Sequence, residues 1–220
     1  MDPTNDDATR AALSKGSSNH AIYASVASVL AEAGGEPGTL VDVGAGAGGL
    51  FPYVRQACRT YVGCDLVRYD GFPSGPEARF VEANLNGPPF PIEGGCADVV
   101  VAAEVIEHLE NPRAFVRELR RIAKRGALVV VTTPNQASFL SKLTLVLKDQ
   151  FNAFQDGLYP AHITALVPID LVRIAREAGL REPELRFTHA GRVPLTGRNW
   201  PAVLRGKRFS DNVLLVARAP

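Results

Sequence analysis

Apolar and polar positions along the chain follow two rhythms. From Ser18 the stretch SNHAIYASVASVLAEAGG puts Ile22, Val26, Val29 and Leu30 at helical spacing and stops at Gly34 and Gly35. Short apolar runs then alternate with helical patterns. The runs are TLVDV (39–43), RTYVG (59–63), ARFVE (78–82), ADVVVA (97–102) and ALVVVT (127–132). Between them the spacing predicts helices over 48–57 and 112–124, and a shorter one near 103–109. Asn111 is placed to cap the helix at 112–124 and Pro112 to open it, with Phe115, Leu119 and Ile122 on one face. Consecutive β-branched residues indicate strands buried on both faces. Their alternation with helices predicts an α/β fold on a parallel sheet with right-handed crossovers.

The rhythm changes after Pro134. Residues 135–167 hold a helical run, ASFLSKLTLVLK, and an aromatic loop, FNAFQDGLYPAHITALVP. That is long for an αβ connection, so it is expected to be a lid or a substrate-binding insertion. Phe139, Leu140, Leu143, Leu145, Phe151 and Phe154 make it apolar, which suits core packing, a substrate wall, a dimer contact or a membrane-facing lid. A helix over PIDLVRIAREAGL and two strands, ELRF and NVLLVA, complete the chain. Residues 1–17 are polar, without periodicity, and are expected to be a flexible tail ahead of a single domain at 18–220.

Composition narrows the classes. With 220 residues and 46% apolar positions the chain can bury one full core. Its 24 Lys and Arg against 23 Asp and Glu leave a net charge of +1, which argues against a nucleic-acid partner. Cys58, Cys64 and Cys96 form no CxxC pair, so neither a zinc ribbon nor a disulfide framework is expected. No signal-like segment opens the chain and no apolar run is long enough to span a bilayer, so a cytoplasmic monomer or homodimer without a membrane span is expected. Basic residues cluster at 112–125 and 181–220. The second cluster includes Arg192, Arg198, Trp200, Arg205, Lys207, Arg208 and Phe209, a set suited to an anionic acceptor or a partner.

The chemistry begins at VDVGAGAGGL. Gly44, Gly46 and Gly48 follow a strand and open a helix, so the backbone can turn tightly and approach a ligand. The string also satisfies GxGxxG, so the glycines alone leave open a dinucleotide or another nucleoside. Asp65 closes the second strand, twenty-one residues after Gly44, where a carboxylate can accept both ribose hydroxyls. Asp42, Asp65, Asn84 and Glu104 recur 23, 19 and 20 residues apart, each closing a strand, and so share the carboxyl edge of the sheet. None of the five tyrosines has a lysine four residues on, so the YxxxK pair of short-chain dehydrogenases is missing.

VDVGAGAGG, GCDL, ANL and ADVVVAAEVIEHLENP together resemble the class I S-adenosylmethionine-dependent methyltransferases, most closely the ubiquinone-biosynthesis O-methyltransferase-like group. The resemblance is close over residues 38–135 and holds in outline beyond. It implies a Rossmann-like, doubly wound seven-stranded sheet, mostly parallel with an antiparallel final hairpin and helices on both faces. It also implies S-adenosyl-L-methionine as cofactor. Gly44, Ala45 and Gly46 would pass under the methionine and ribose. Asp65 would hold the ribose hydroxyls, and Leu66 would lie against the adenine. Asn84 and Leu85 would meet the adenine edge, where many members have Asp. Ala103 and Glu104 would offer main-chain carbonyls to the methionyl amine. No arginine in the first helix is placed for the methionyl carboxylate, and Tyr23 and Lys15 are weak substitutes.

Methyl transfer from a sulfonium is an in-line displacement that profits from positioning and, for a hydroxyl, from a base near neutral pKa. His108, with Glu104 at i−4, and His162 in the insertion are the candidate catalytic residues, while His20 and His189 have no such company. No metal is assigned from the sequence. Glu104, Glu107, His108 and a later histidine nevertheless resemble the set with which ubiquinone-type O-methyltransferases and small-RNA 2′-O-methyltransferases hold a divalent ion. The expected activity is O-methylation of a small-molecule acceptor. The alternatives are a metal-assisted RNA 2′-O-methyltransferase and a non-catalytic S-adenosylmethionine-binding partner protein.

Overall fold

The computed structural model describes residues 9–10, 13, 16–35, 38–201 and 203–220. Most of the expected tail, and Lys15, lie outside the described residues.

Helix α1 (His20–Ala33) starts where Asn19 caps it, its side-chain oxygen accepting from the Ala21 N–H at 2.9 Å. Strand β1 (Thr39–Val43) leads through the glycine loop to α2, which is only Phe51–Val54. The expected helix over 48–57 therefore shrinks to one turn: Gly48 and Gly49 stay in the loop, with Gly48 at a left-handed φ of 75°. Strands β2 (Thr60–Asp65), β3 (Ala78–Glu82) and β4 (Ala97–Ala103) follow as the apolar runs predict. The short helix expected near 103–109 is a single 3₁₀ turn, Ile106–His108, because Glu104 sits at φ 56° and interrupts any α-helical path.

Helix α3 (Pro112–Ile122) is capped by Asn111, which accepts from the Ala114 N–H at 2.9 Å, and buries Phe115, Leu119 and Ile122. Strand β5 (Ala123–Pro134) outruns its apolar core at both ends. Then come α4 (Phe139–Lys148), two 3₁₀ turns at Asn152–Phe154 and Asp156–Leu158, α5 (Pro168–Glu177), β6 (Arg181–Phe187) and β7 (Asn212–Arg218).

The seven strands form one sheet in the order β3-β2-β1-β4-β5-β7-β6. β1 to β5 pair in parallel, whereas β7 runs antiparallel to both β5 and β6. Two cores arise because strand residues alternate faces. Val41, Val43, Val100, Val129 and Leu215 pack with α3 and α5, while Leu40, Val99, Val101, Val130 and Leu214 pack with α1 and α2. The order reverses at β1 and β4, so a crevice opens beyond their carboxyl ends. No helix among the described residues is long and apolar enough to cross a membrane.

Candidate functional site

That crevice is a cavity of about 640 Å³, within the range of small-ligand and cofactor sites. The glycine loop forms its floor. Gly44 has φ 79°, and a Cβ there would stand 2.2 Å from Val105 Cγ2, so only glycine lets β1 turn under the space. Gly46 has φ 52°, and its Cβ would meet the Gly16 carbonyl oxygen at 2.1 Å. Ala47 N–H donates to that carbonyl at 2.8 Å, which seats the N-terminal segment on the loop.

Asp65 closes β2 beside the loop. Its two carboxylate oxygens accept from the Gly46 and Leu66 N–H groups, each at 2.7 Å, so it holds the turn as well as facing the cavity. Burial pushes its carboxyl above the usual range, against the lowering effect of the backbone donors at Gly46, Leu66 and Val67. Leu66, Asn84, Leu85, Ala103 and Glu104 line the same cavity, as do Gly44 and Ala45. Asp42 and Gly46 do not line it. Asp42 points beneath the floor, where the Tyr61 hydroxyl donates to it at 2.5 Å. Burial raises its carboxyl to about 7, the Tyr61 bond working against this and the Asp65 charge with it.

The same cavity also holds acids and imidazoles. The pairing of Glu104 with His108 expected from helical spacing is not made. Glu104 accepts from Thr132 Oγ1 at 2.7 Å and Asn212 Nδ2 at 2.8 Å, and its left-handed backbone turns it away from a helical i−4 position. His108 is oriented by backbone carbonyls instead, donating from Nδ1 to the Ala161 oxygen at 2.7 Å and meeting the main chain, not the carboxylate, of Glu104. The same clamp delivers His162: the N–H groups of Ile163 and Thr164 donate to the Glu107 carbonyl at 3.0 and 2.9 Å. His162 Nδ1 donates to the Ala153 carbonyl at 2.6 Å, and the two rings meet edge to face with centroids 4.7 Å apart. A carbonyl only accepts, so the His162 Nδ1 carries its proton and leaves the lone pair on Nε2, whereas the His108 ring meets two carbonyls, those of Ala161 and Glu104.

Burial lowers the pKa of both histidines, His162 further through the charge of His108. Glu107 is fully buried. Its Oε2 accepts from Thr133 Oγ1 at 3.0 Å, and Oε1 has no hydrogen-bond partner. Desolvation pushes both Glu104 and Glu107 well above the usual carboxylate range, and the charge of Glu107 adds to the rise at Glu104. Glu107, His108 and His162 each offer one ligand atom, all within 4.8 Å of one another. An orphaned carboxylate oxygen and two imidazoles this close together fit a divalent cation.

Several lining residues carry no signal in the sequence. Gln136, Ser138 and Ser141 follow β5, and the Ser141 hydroxyl donates to Gln136 Oε1 at 2.8 Å. Arg10, buried and bonded to Glu110 at 2.9 Å, also lines the cavity, upstream of α1. Asn199 lines it too, as does Arg192, which the basic cluster at 181–220 already marks. The polar residues that follow an apolar strand, such as Asn135 and Gln136, are the one pattern that could have pointed here.

An open sheet with a glycine turn at its switch point, strand-end acids and one edge cavity defines a nucleoside-cofactor protein of the α/β class. Residues 18–182 match the family described as a methyltransferase domain, and the chain belongs to it. A probable S-adenosylmethionine-dependent methyltransferase of Mycobacterium tuberculosis is 41% identical over 64 residues, covering 29% of this chain and 23% of its own. One of Mycolicibacterium smegmatis is 26% identical over 174 residues, covering 76% and 62%. The chain thus spans less than two thirds of these relatives' lengths. The ubiquinone biosynthesis O-methyltransferase of Thiobacillus denitrificans is 28% identical, with 66% of each chain covered. Among solved structures, a Haloferax volcanii complex of the Trm112 methyltransferase activator and a methyltransferase matches with TM-score 0.67 at 15% identity, covering 97% of each chain. That likeness shows the fold. The family carries S-adenosylmethionine as its cofactor.

Proposed function

We propose that the protein transfers a methyl group from S-adenosylmethionine to a hydroxyl oxygen of a small-molecule acceptor. The observation that carries this reading is the pair of imidazoles, His108 and His162, which line the same cavity as Gly44 and Ala45 of the glycine loop. In this reading residues 18–220 act as one domain, and the 135–167 insertion walls the acceptor side. The cofactor lies over Gly44–Ala45, its ribose on Asp65, its adenine between Leu66, Asn84 and Leu85, and its methionine beside Ala103 and Glu104. The acceptor oxygen attacks the methyl carbon as the carbon–sulfur bond breaks, leaving S-adenosylhomocysteine. An imidazole Nε2 takes the hydroxyl proton. The name of the Thiobacillus denitrificans relative supports oxygen as the atom methylated. Three cysteines without disulfides among the described residues suit a cytoplasmic setting.

The unpartnered Glu107 Oε1 favours a second reading of the same residues. Glu107, His108 and His162 would hold a divalent cation, which when bound lowers the pKa of the acceptor hydroxyl. Thr133, Ala161 and Ala153 already fix the three side chains by hydrogen bonds, so the set needs little reorganisation.

The test is transfer of labelled methyl to a panel of phenols, catechols and a short RNA, with His108→Ala alongside. Turnover should fall by about 10²-fold or more in the variant, while S-adenosylhomocysteine affinity holds. Undiminished turnover would remove His108 from the chemistry. Cofactor binding without product from any acceptor would favour a non-catalytic partner, and labelling of RNA alone would favour the RNA reading. Loss of turnover on chelation, restored by a divalent ion, would select the cation reading over the simple base.

A further inference from the structure

Helix α4 is inside out. A helix on a globular protein turns its apolar stripe to the core and its polar face to water. Here Ser141 and Thr144 are buried, whereas Phe139, Leu145, Val146 and Leu147 are exposed, Val146 by 79% and Leu147 by 66%. The polar side has a use, since Ser138 and Ser141 line the cavity. Beyond Phe139, which Trp200 and Phe209 partly cover, Leu145, Val146 and Leu147 on the apolar side stand exposed.

The exposed face continues onto its neighbours. Lys148 Nζ donates to Gln155 Oε1 at 2.9 Å and Gln150 Nε2 to Asp156 Oδ1 at 2.8 Å, which lays the 156–159 turn along the end of α4. That turn exposes Leu158 and Tyr159, by 42% and 64%, and Leu158 also lines the cavity. At the other end the Phe139 ring packs on Trp200 and Phe209, and the Phe139 N–H donates to the Arg208 carbonyl at 2.8 Å. The apolar face therefore borders the mouth of the cavity.

Its charged border is mainly one sign. Lys142, Lys148, Lys207 and Arg208 are exposed and form no ion pair among the described residues, against Asp149 and Asp156. A second copy of the chain meeting this face through a two-fold axis would bring the same lysines toward one another. An apolar helix face with flanking cations and aromatic residues matches a bilayer interface whose headgroups are anionic.

We propose that the outer face of α4, with the 156–159 turn, docks on an anionic membrane surface and sets the mouth of the cavity against the lipid. The inference stands apart from the acceptor chemistry, because, Leu158 apart, it concerns side chains outside the lining of the cavity.

Co-sedimentation of the full chain with vesicles of phosphatidylglycerol and phosphatidylcholine tests it against vesicles of phosphatidylcholine alone. The protein should sediment with the anionic vesicles and much less with the neutral ones, and added salt should release part of it. The double variant Val146→Asp, Leu147→Asp should bind about tenfold more weakly or worse, with S-adenosylhomocysteine affinity unchanged as evidence of an intact fold. Lys142→Glu with Lys148→Glu, at exposed sites, should weaken binding to the anionic vesicles selectively. No binding by the unaltered protein, equal binding to neutral vesicles, or equal binding by the aspartate variant would overturn the proposal. So would a dimer of the unaltered chain, or a stable complex with another protein, that the aspartate variant dissociates.

Discussion

Replacing Asp42 with Asn should change how stability depends on pH more than it changes stability itself. Asp42 is 2% exposed, and burial lifts its carboxyl from 3.8 in the open chain to about 7 in the fold. A group whose pKa is raised by folding binds its proton more tightly in the native state. Its favourable contribution is complete below the unfolded value and is lost as pH rises toward the folded one. The shift of about three units, at about 1.36 kcal/mol each, gives about 4 kcal/mol lost between pH 4 and 7. Asn is neutral throughout and can still accept from the Tyr61 hydroxyl, whose own ionisation burial pushes far upward. Its amide would place a donor where Asp42 Oδ1 has no partner, a cost of about 1–3 kcal/mol that does not vary with pH. Urea unfolding of both proteins at half-unit steps from pH 4 to 8, without ligand, isolates the term. The stability of the variant minus that of the unaltered protein should climb by about 4 kcal/mol across the range and level off above pH 7. A difference constant with pH would show that Asp42 titrates normally and that the floor of the site stores no such cost.

Gly44→Ala drives a Cβ to 2.2 Å from Val105 Cγ2 at a left-handed φ, so thermal melting should reveal a loss of about 2 kcal/mol, and S-adenosylhomocysteine binding should fall with it; normal melting and binding would mean that the loop is not tightly packed. Asp65→Ala removes the carboxylate that anchors Gly46 and Leu66 and faces the proposed ribose, so calorimetry should show cofactor affinity down about tenfold to a hundredfold, and an unchanged affinity would sink the ribose assignment. Glu107→Gln keeps the bond from Thr133 but replaces one carboxylate oxygen with an amide donor. If the cation reading holds, divalent-ion affinity by calorimetry should drop about tenfold or more, whereas equal affinity would place any ion elsewhere.

Much of this was legible in the order of residues. Continuous runs such as ADVVVAA and ALVVV predicted strands covered on both faces, and the structure buries them between two helical layers. The Asn111 cap and Pro112 start of α3 hold as the sequence implied, since cap and first turn are local chemistry. The strand-end polar residues Asp65, Asn84 and Glu104 reach one cavity because a parallel sheet aligns its carboxyl ends. What spacing could not reveal was backbone conformation at single residues and contact between distant segments. Glu104 adopts a left-handed φ that no helical spacing anticipates, so its carboxylate goes to Thr132 and Asn212 rather than to His108. His108 and His162 are 54 residues apart, and they meet through bonds between their segments, from Ile163 and Thr164 to the Glu107 carbonyl and from His108 to the Ala161 carbonyl. In α4 the apolar pattern left core packing, a substrate wall, a dimer contact and a membrane-facing lid open, and the buried Ser141 and Thr144 show that its apolar residues face outward.

A crystal structure of the full chain with S-adenosylhomocysteine tests the central claim most directly. The account predicts the ribose hydroxyls on Asp65, the adenine beside Leu66 and Asn84, and the sulfur turned toward His108 and His162. Ligand bound outside this cavity, or a sulfur facing away from both imidazoles, would contradict it.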